Sequence, residues 1–242
     1  MISEQSILRH PPSELSRQQV LFWDGIRYAA DIADFVHKRL FDTIQSIDLN
    51  QKEPTVQEIA AAIADAWTII DSAHRFSDLV ENLPGLPNSD WRKLLNIRLK
   101  ETRGLRNCVQ HQIGEIDGLI QNEGQIWGYL SWAQIRDGRY TGLWLMISPG
   151  ADYTSDKWVV AGPNTLPFPV PPGRIRLNAF SRQVYLGRII GFIREGILAL
   201  EAELESNRVR PRGQAAAIRS GTDRVIMAGM LVEYEVPFDN NE

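Results

Sequence analysis

Hydrophobic positions in the first 120 residues of the chain repeat at helical spacing. Apolar side chains follow one another at steps of three and four across residues 15–47, and again after Thr55. Thr55 and Glu58 have the spacing of a capping box, and the helix they open ends before Pro84. Asn88 or Ser89 is expected to cap a third helix, which continues through Lys100. Gly104 marks a kink or break before a fourth, which runs to about residue 120. The pattern predicts an antiparallel helical bundle.

The pattern changes to β-like alternation after residue 124. Residues 126–132 and 142–147 flank the dipeptide Asp137-Gly138, which predicts a hairpin, and residues 157–161 suit a third strand. A proline-rich stretch at 163–172 follows, and helical spacing returns at 183–205. A last apolar segment at 225–236 suits an edge strand.

These elements predict an α+β fold, in which a helical bundle precedes a small antiparallel sheet and a long late helix. We divide the chain into a bundle at 1–122, a sheet with the proline-rich loop at 123–180, and a C-terminal helix and tail at 181–242 that pack back on the bundle or the sheet.

Composition narrows the function classes. The chain has 43% hydrophobic and 23% charged residues, with no apolar run near the ~20 residues that span a bilayer, so we expect no membrane contact. A single cysteine, Cys108, excludes an intrachain disulfide and favours the cytoplasm. No motif for a metal or a cofactor occurs, so neither is expected. A net charge of −4 argues mildly against a dedicated nucleic-acid binder.

Six cations nevertheless lead into the fourth helix, in a run that is usually a solvated face: Arg92, Lys93, Arg98, Lys100, Arg103 and Arg106. The run ends in the string Arg106-Asn107-Cys108-Val109-Gln110-His111. Histidine exchanges protons near neutral pH, and the guanidinium of arginine pairs with phosphate oxygens without losing its own proton. The side-chain amide of Asn107 suits the orientation of either group. Such a set suits metal-free cleavage of RNA by the ribose 2′-hydroxyl.

Helical geometry separates two faces of this segment. Residues Leu105, Val109, Ile113, Ile116 and Ile120 fall on one apolar stripe, as on the buried side of a helix. The opposite face carries Asn107, His111, Gly114 and Gly118. Two glycines inside a helix each cost about 1 kcal/mol relative to alanine, which favours close approach of another backbone. That backbone belongs to a second copy of the chain, to a substrate strand, or to another helix of the same chain.

Two further residues are candidates for an auxiliary role. His74 is in phase with Trp67 and Ile70 on the apolar stripe of the second helix, and Asp71 precedes it by three positions. A buried, hydrogen-bonded histidine is the usual occupant of such a place. If the second helix borders the fourth, Asp71 and His74 instead belong to the same site as Arg106. Arg106 and His111 lie about 140° apart around one helix, so a single chain does not easily aim both at one phosphate.

The Arg-polar-x-x-x-His string on a helix of an α-helical domain resembles the signature of the HEPN superfamily, over residues 15–121 at most. The resemblance implies a homodimeric, metal-independent endoribonuclease, of the kind associated with toxin–antitoxin and antiviral (phage-defence) systems, with RNA as substrate and an antitoxin-like protein as partner. It assigns phosphate stabilisation to Arg106, positioning to Asn107 and proton transfer to His111. The alternative is a non-catalytic interaction protein that self-associates through the face of Asn107, His111, Gly114 and Gly118.

Overall fold

The computed structural model describes residues 1–46, 54–121, 125–136, 139–147 and 175–206. Within these ranges the chain forms six helices and four strands, which confirms the α+β class. The helices are α1 (Arg17–Ser46), α2 (Val56–Glu81), α3 (Asp90–Arg98), α4 (Lys100–Gln110), α5 (Gln112–Gln121) and α6 (Leu186–Ser206). The strands are β1 (Tyr129–Arg136), β2 (Arg139–Ile147), β3 (Arg176–Ala179) and β4 (Arg182–Tyr185).

Helices α1 and α2 form an antiparallel pair. Arg39, late in α1, donates to the carboxylate of Asp65 in the first half of α2 at 2.9 Å, whereas Gly25, early in α1, lies against Leu79 near the end of α2. The predicted capping box is confirmed: the hydroxyl of Thr55 accepts from the backbone N–H of Glu58, whose carboxylate accepts from the N–H of Thr55. These orphan donors at the start of α2 are thereby satisfied.

The late helix α6 packs against α1, α2 and α3, so it is part of the same core. A side chain at Gly196 would approach Phe76 of α2 to 3.0 Å and Leu95 of α3 to 3.2 Å, so the glycine allows three helices to meet closely. The helix predicted at 183–205 starts three residues later than expected, because residues 183–185 belong to β4.

The four strands form one antiparallel sheet in the order β2-β1-β3-β4. The predicted pairing of β1 with β2 is confirmed, and the turn at Asp137-Gly138 lies outside the described residues. The hairpin of β3 and β4 was not predicted. Its turn holds Phe180 and Ser181 at φ of 50° and 59°, without the glycine or asparagine that usually signals such a turn. The predicted strands at 157–161 and 225–236 lie outside the described residues, and the division into three parts stays a prediction.

One predicted helix boundary is wrong. Gly104 marks no break, because α4 passes through it; the breaks fall at Leu99 and His111 instead. Gly104 makes room for the guanidinium of Arg182 from β4, whose Nη1 would lie 2.9 Å from an added Cβ. Ser89, one of the two predicted cap residues, occupies the N-cap position of α3, but its side chain forms no capping hydrogen bond. Its hydroxyl donates instead to the carboxylate of Glu203 of α6 at 3.3 Å.

Replacing Gly128 by alanine should strongly destabilise the protein. Gly128 precedes β1 at a φ of 67°, and an added Cβ would collide with the carbonyl oxygen of Asn178 and lie 2.6 Å from the Cβ of Ala179. Backbone strain and overpacking together should lower the free energy of unfolding by about 2–5 kcal/mol. Chemical denaturation measures the change. The control Gly191→Ala, in α6 with no described atom within 4 Å of its added Cβ, should instead stabilise by about 0.5–1 kcal/mol. Equal effects of both substitutions would contradict the assignment of Gly128.

Candidate functional site

The motif helix α4 lies against a charged face of α2. Helix α2 presents Asp71, His74, Asp78 and Glu81, which are spaced to share one side of a helix, and α4 presents Arg103 and Arg106 one turn apart. Leu105, with no exposed surface, is the buried anchor of α4 beside them. The condition for an auxiliary role of Asp71 and His74 is therefore met, since α2 borders the motif helix.

Arg106 is held by the carboxylate of Asp71. Its Nε donates to Oδ1 of Asp71 at 3.0 Å, and Arg75 donates to Oδ2 of the same carboxylate at 2.6 Å. Partial burial alone would raise the pKa of Asp71, but the hydrogen bonds and positive charges of Arg75 and Arg106 outweigh it and hold the pKa below its usual value. Nη1 of Arg106 lies 3.4 Å from Oε1 of Gln110, so the guanidinium has a fixed orientation on α4.

His74 is buried between the same two helices, close to a carboxylate. Its Nε2 lies 3.3 Å from Oδ2 of Asp78, whose other oxygen accepts from Arg103 at 2.6 Å. Burial is the largest influence and lowers the pKa of His74. The charges of Arg106 and Arg103 lower it further, against the opposing effects of Asp78 and Asp71. At neutral pH the imidazole is therefore mostly uncharged.

His111 stands at the end of α4. Its backbone N–H reaches the carbonyls of Asn107 at 3.0 Å and Cys108 at 3.2 Å, and α5 begins at the next residue. The side chains of His111 and Asn107 are exposed, while Arg106 is turned against α2. Within the described structure the side chain of Arg106 bonds to Asp71 and Gln110, and no hydrogen bond joins it to the side chain of His111.

The two predicted interface glycines are both exposed in the described part of the chain. A Cβ added at Gly114 would meet no described atom within 4 Å, so no described helix packs closely against this glycine.

The apolar stripe predicted for the motif helix is buried at its start only. Leu105 is fully buried and Val109 partly, but Ile113, Ile116 and Ile120 are 89%, 39% and 71% exposed. The break at His111 places these isoleucines on α5, and among the described elements α4 alone packs on α5 through more than isolated contacts. The helical spacing of these apolar residues was therefore predicted correctly, but the interpretation of the whole stripe as the buried side of a helix was wrong.

Most cations in the basic run before the motif form hydrogen bonds or ion pairs with other groups of the same chain. Buried Arg92 donates to the carbonyls of Leu86 and Pro87 at 3.0 and 2.8 Å, and Arg98 pairs with Glu195. Arg103, which sequence reasoning left as a solvated cation, bonds to Asp78. The acidic residues at helical spacing on α2 were the signal that would have found this network. The run is thus a set of interhelical contacts more than an open basic surface.

Among the residues that the structure describes, no group of three or more His, Cys, Asp or Glu side chains is arranged to hold a metal ion. None of the described helices combines the length and the apolar character that crossing a membrane requires. Searches against protein-family models, curated proteins and solved structures found no match to the chain.

Acidification should destabilise the folded chain through His74. Because its pKa is lower in the folded state than its usual value of about 6.5, the unfolded chain binds the proton more tightly. Stability is therefore complete above pH 6.5 and falls as the pH drops below it. Unfolding free energies measured from pH 7 to pH 5 should show a shallower decline in His74→Gln than in the wild type.

The partly buried His37 of α1, whose pKa is also lowered by burial, should make a separate contribution to this decline that His37→Gln removes. If the unfolding free energy declines as steeply in His74→Gln as in the wild type, the surroundings of His74 do not hold its imidazole neutral.

Proposed function

We propose that two copies of this chain pair through the face formed by Asn107, His111, Gly114 and Gly118, called here the α4–α5 face, and that the pair is a metal-independent endoribonuclease. The observation that carries the proposal is the exposure of all four residues, with open space beside Gly114. A two-fold axis brings identical faces together, so each copy would place its His111 beside that of the other.

Helix stability favours pairing. Helix α5 has 10 residues, including two glycines, whereas isolated helices shorter than about 12–15 residues are marginal in water. A second copy seated on the glycine side of α5 would compensate for the low helix propensity of the glycines. The three exposed isoleucines lie on the opposite side of α5, so this pairing would not cover them. An antitoxin-like protein is a second occupant of the same face, and the oligomeric state of the purified chain distinguishes the two.

The chemistry of RNA cleavage needs the groups that pairing would assemble. His111 would accept the proton of a ribose 2′-hydroxyl, whose oxygen attacks phosphorus while the bond to the 5′-oxygen breaks. The 5′-oxygen would take a proton from the imidazolium of the other copy, which leaves a 2′,3′-cyclic phosphate and a 5′-hydroxyl. Arg106, oriented by Asp71, would stabilise the charge on the phosphorane, and Asn107 would position the phosphate.

The biological setting follows only from the resemblance to the HEPN superfamily, which suggests a toxin–antitoxin or phage-defence role. We place that role in the cytoplasm, which the single cysteine favours.

A non-catalytic pairing protein is the second candidate. The ion pair of Arg106 with Asp71 favours it, because this contact occupies Nε of the guanidinium and neutralises part of its charge. The same face would then serve self-association alone. Separate measurements of pairing and cleavage distinguish the two candidates.

Substituting Gly114 by leucine should convert pairs into monomers, because a large side chain would hold the two α4–α5 faces apart. Sedimentation velocity over a concentration series measures the association. Gly191→Leu, at another helical glycine with no described atom within 4 Å of the added Cβ, is the matched control and should remain paired. If Ile113→Gln gives monomers while Gly114→Leu stays paired, association runs through the isoleucines and the proposed face is wrong. A wild type that is monomeric at all concentrations also contradicts it.

Removing either motif side chain should abolish cleavage of RNA. His111→Ala and Arg106→Ala should each lose about 100-fold or more of the rate, measured on single-stranded RNA in the presence of a chelator, with 2′,3′-cyclic phosphate ends as the diagnostic product. Arg75→Ala is the control, since Arg75 contacts the same carboxylate as Arg106 but lies outside the motif. Wild-type pairs that cleave no RNA would support the non-catalytic candidate. Cleavage by His111→Ala and Arg106→Ala as fast as by Arg75→Ala would contradict a catalytic role of the motif.

A further inference from the structure

A cleft lies where the start of α4 meets the sheet and α6. It has a volume of about 340 Å³, and its walls include Arg98, Glu101, Gln183, Tyr185, Arg188 and Phe192. The residues come from four elements (α3, α4, β4 and α6) that pack into one core, so the cleft is a built feature of the fold. It lies within one chain and does not depend on pairing or on cleavage of RNA.

Two guanidinium groups stack on one aromatic ring in this cleft. The guanidinium carbons of Arg98 and Arg188 lie 5.2 and 5.6 Å from the ring centroid of Phe192. Stacking fixes the plane of a guanidinium and leaves its N–H edge available, which is the arrangement that binds a phosphate through two parallel hydrogen bonds. The ring of Phe192 thus reduces the side-chain entropy that either arginine would lose on binding an anion.

The charged residues that line the cleft are two arginines, Arg98 and Arg188, and one carboxylate, that of Glu101. Arg98 is partly compensated by its ion pair with Glu195. Arg188 has no carboxylate within ion-pairing distance among the described residues, so its charge is the less compensated of the two. Such a surface attracts an anionic ligand.

The cleft also carries hydrogen-bonding groups that an inorganic anion would not use. The carboxylate of Glu101 is an acceptor and would repel a simple anion. The side-chain oxygen of Gln183 already accepts from Arg176 at 3.2 Å, which turns its amide donors to other partners. A ligand that suits all of these groups must combine an anionic end with hydroxyl or amino donors.

We infer that this cleft binds a nucleotide unit, with its phosphate on Arg188 and Arg98 and a ribose hydroxyl or base amino group on Glu101. The volume lies at the small end of ligand sites, which are usually about 300–1,000 Å³, and suits one nucleotide. The same chemistry is offered by a free mononucleotide and by the 5′-phosphorylated end of an RNA strand.

Isothermal titration of the full chain tests this site with four probes: adenosine 5′-monophosphate, adenosine, inorganic phosphate, and a 5′-phosphorylated RNA tetranucleotide. The mononucleotide should bind more tightly than adenosine or phosphate alone. Arg188→Gln should weaken it by about tenfold and leave adenosine unchanged, because one charge-assisted contact is lost. Glu101→Ala should lower the ratio of mononucleotide affinity to phosphate affinity.

Arg194→Gln is the matched control, since Arg194 lies on α6 outside the residues that line the cleft and should leave all affinities unchanged. Equal binding of the mononucleotide and the tetranucleotide would identify a free nucleotide as the ligand, and much tighter binding of the tetranucleotide would identify an RNA end. Both results support the site. Phosphate that binds as tightly as the nucleotide, no binding of any probe, or equal losses in Arg188→Gln and Arg194→Gln would overturn it.

Discussion

The packing of α4 on α2 is the contact on which both proposed sites depend. Burial of Leu105 supplies most of its stabilisation, because a fully buried leucine contributes about 1.5–3 kcal/mol, whereas exposed or half-exposed ion pairs contribute about 0–1 kcal/mol each. The ion pairs of Asp71 with Arg106 and of Asp78 with Arg103 instead fix the rotation of α4. That rotation turns Arg106 inward and leaves Asn107 and His111 exposed at the end of the helix.

Local signals in the sequence predicted the elements that local interactions determine. The capping box of Thr55 and Glu58 and the long apolar spacing of α1 and α2 are satisfied within a few residues, so both appear in the structure as expected. The hairpin of β3 and β4 was missed because its strands have four residues each and its turn uses Phe180 and Ser181 in the left-handed region. The ring of Phe180 contacts Trp67 of α2 edge to face, at 6.5 Å between ring centroids, and a local sequence window does not contain this contact.

The motif segment shows what periodicity does not predict. The apolar spacing from Leu105 to Ile120 continues through His111, yet the helix is interrupted there and the burial ends after Val109. A spacing of three and four identifies a face but not what covers it. Helix α2 covers the apolar face of α4, whereas none of the described elements covers the apolar face of α5 to a comparable extent. The acidic spacing on α2 carried the missing information, because Asp71 and Asp78 are positioned to receive Arg106 and Arg103.

Helix α4 connects the two proposed sites physically. Glu101, in its first turn, lines the cleft beside Arg188, while Arg106 and His111 lie near its other end, about 8–15 Å away at 1.5 Å per residue. Because α4 is short and anchored through Leu105, a rotation about its axis would move both sets of side chains together. The Asp71 and Asp78 ion pairs resist that rotation, and the uncharged His74 between them adds no repulsion to Arg103 and Arg106. Protonation of His74 would place a third positive charge beside these two arginines, so the same network that orients α4 is weakened by acid.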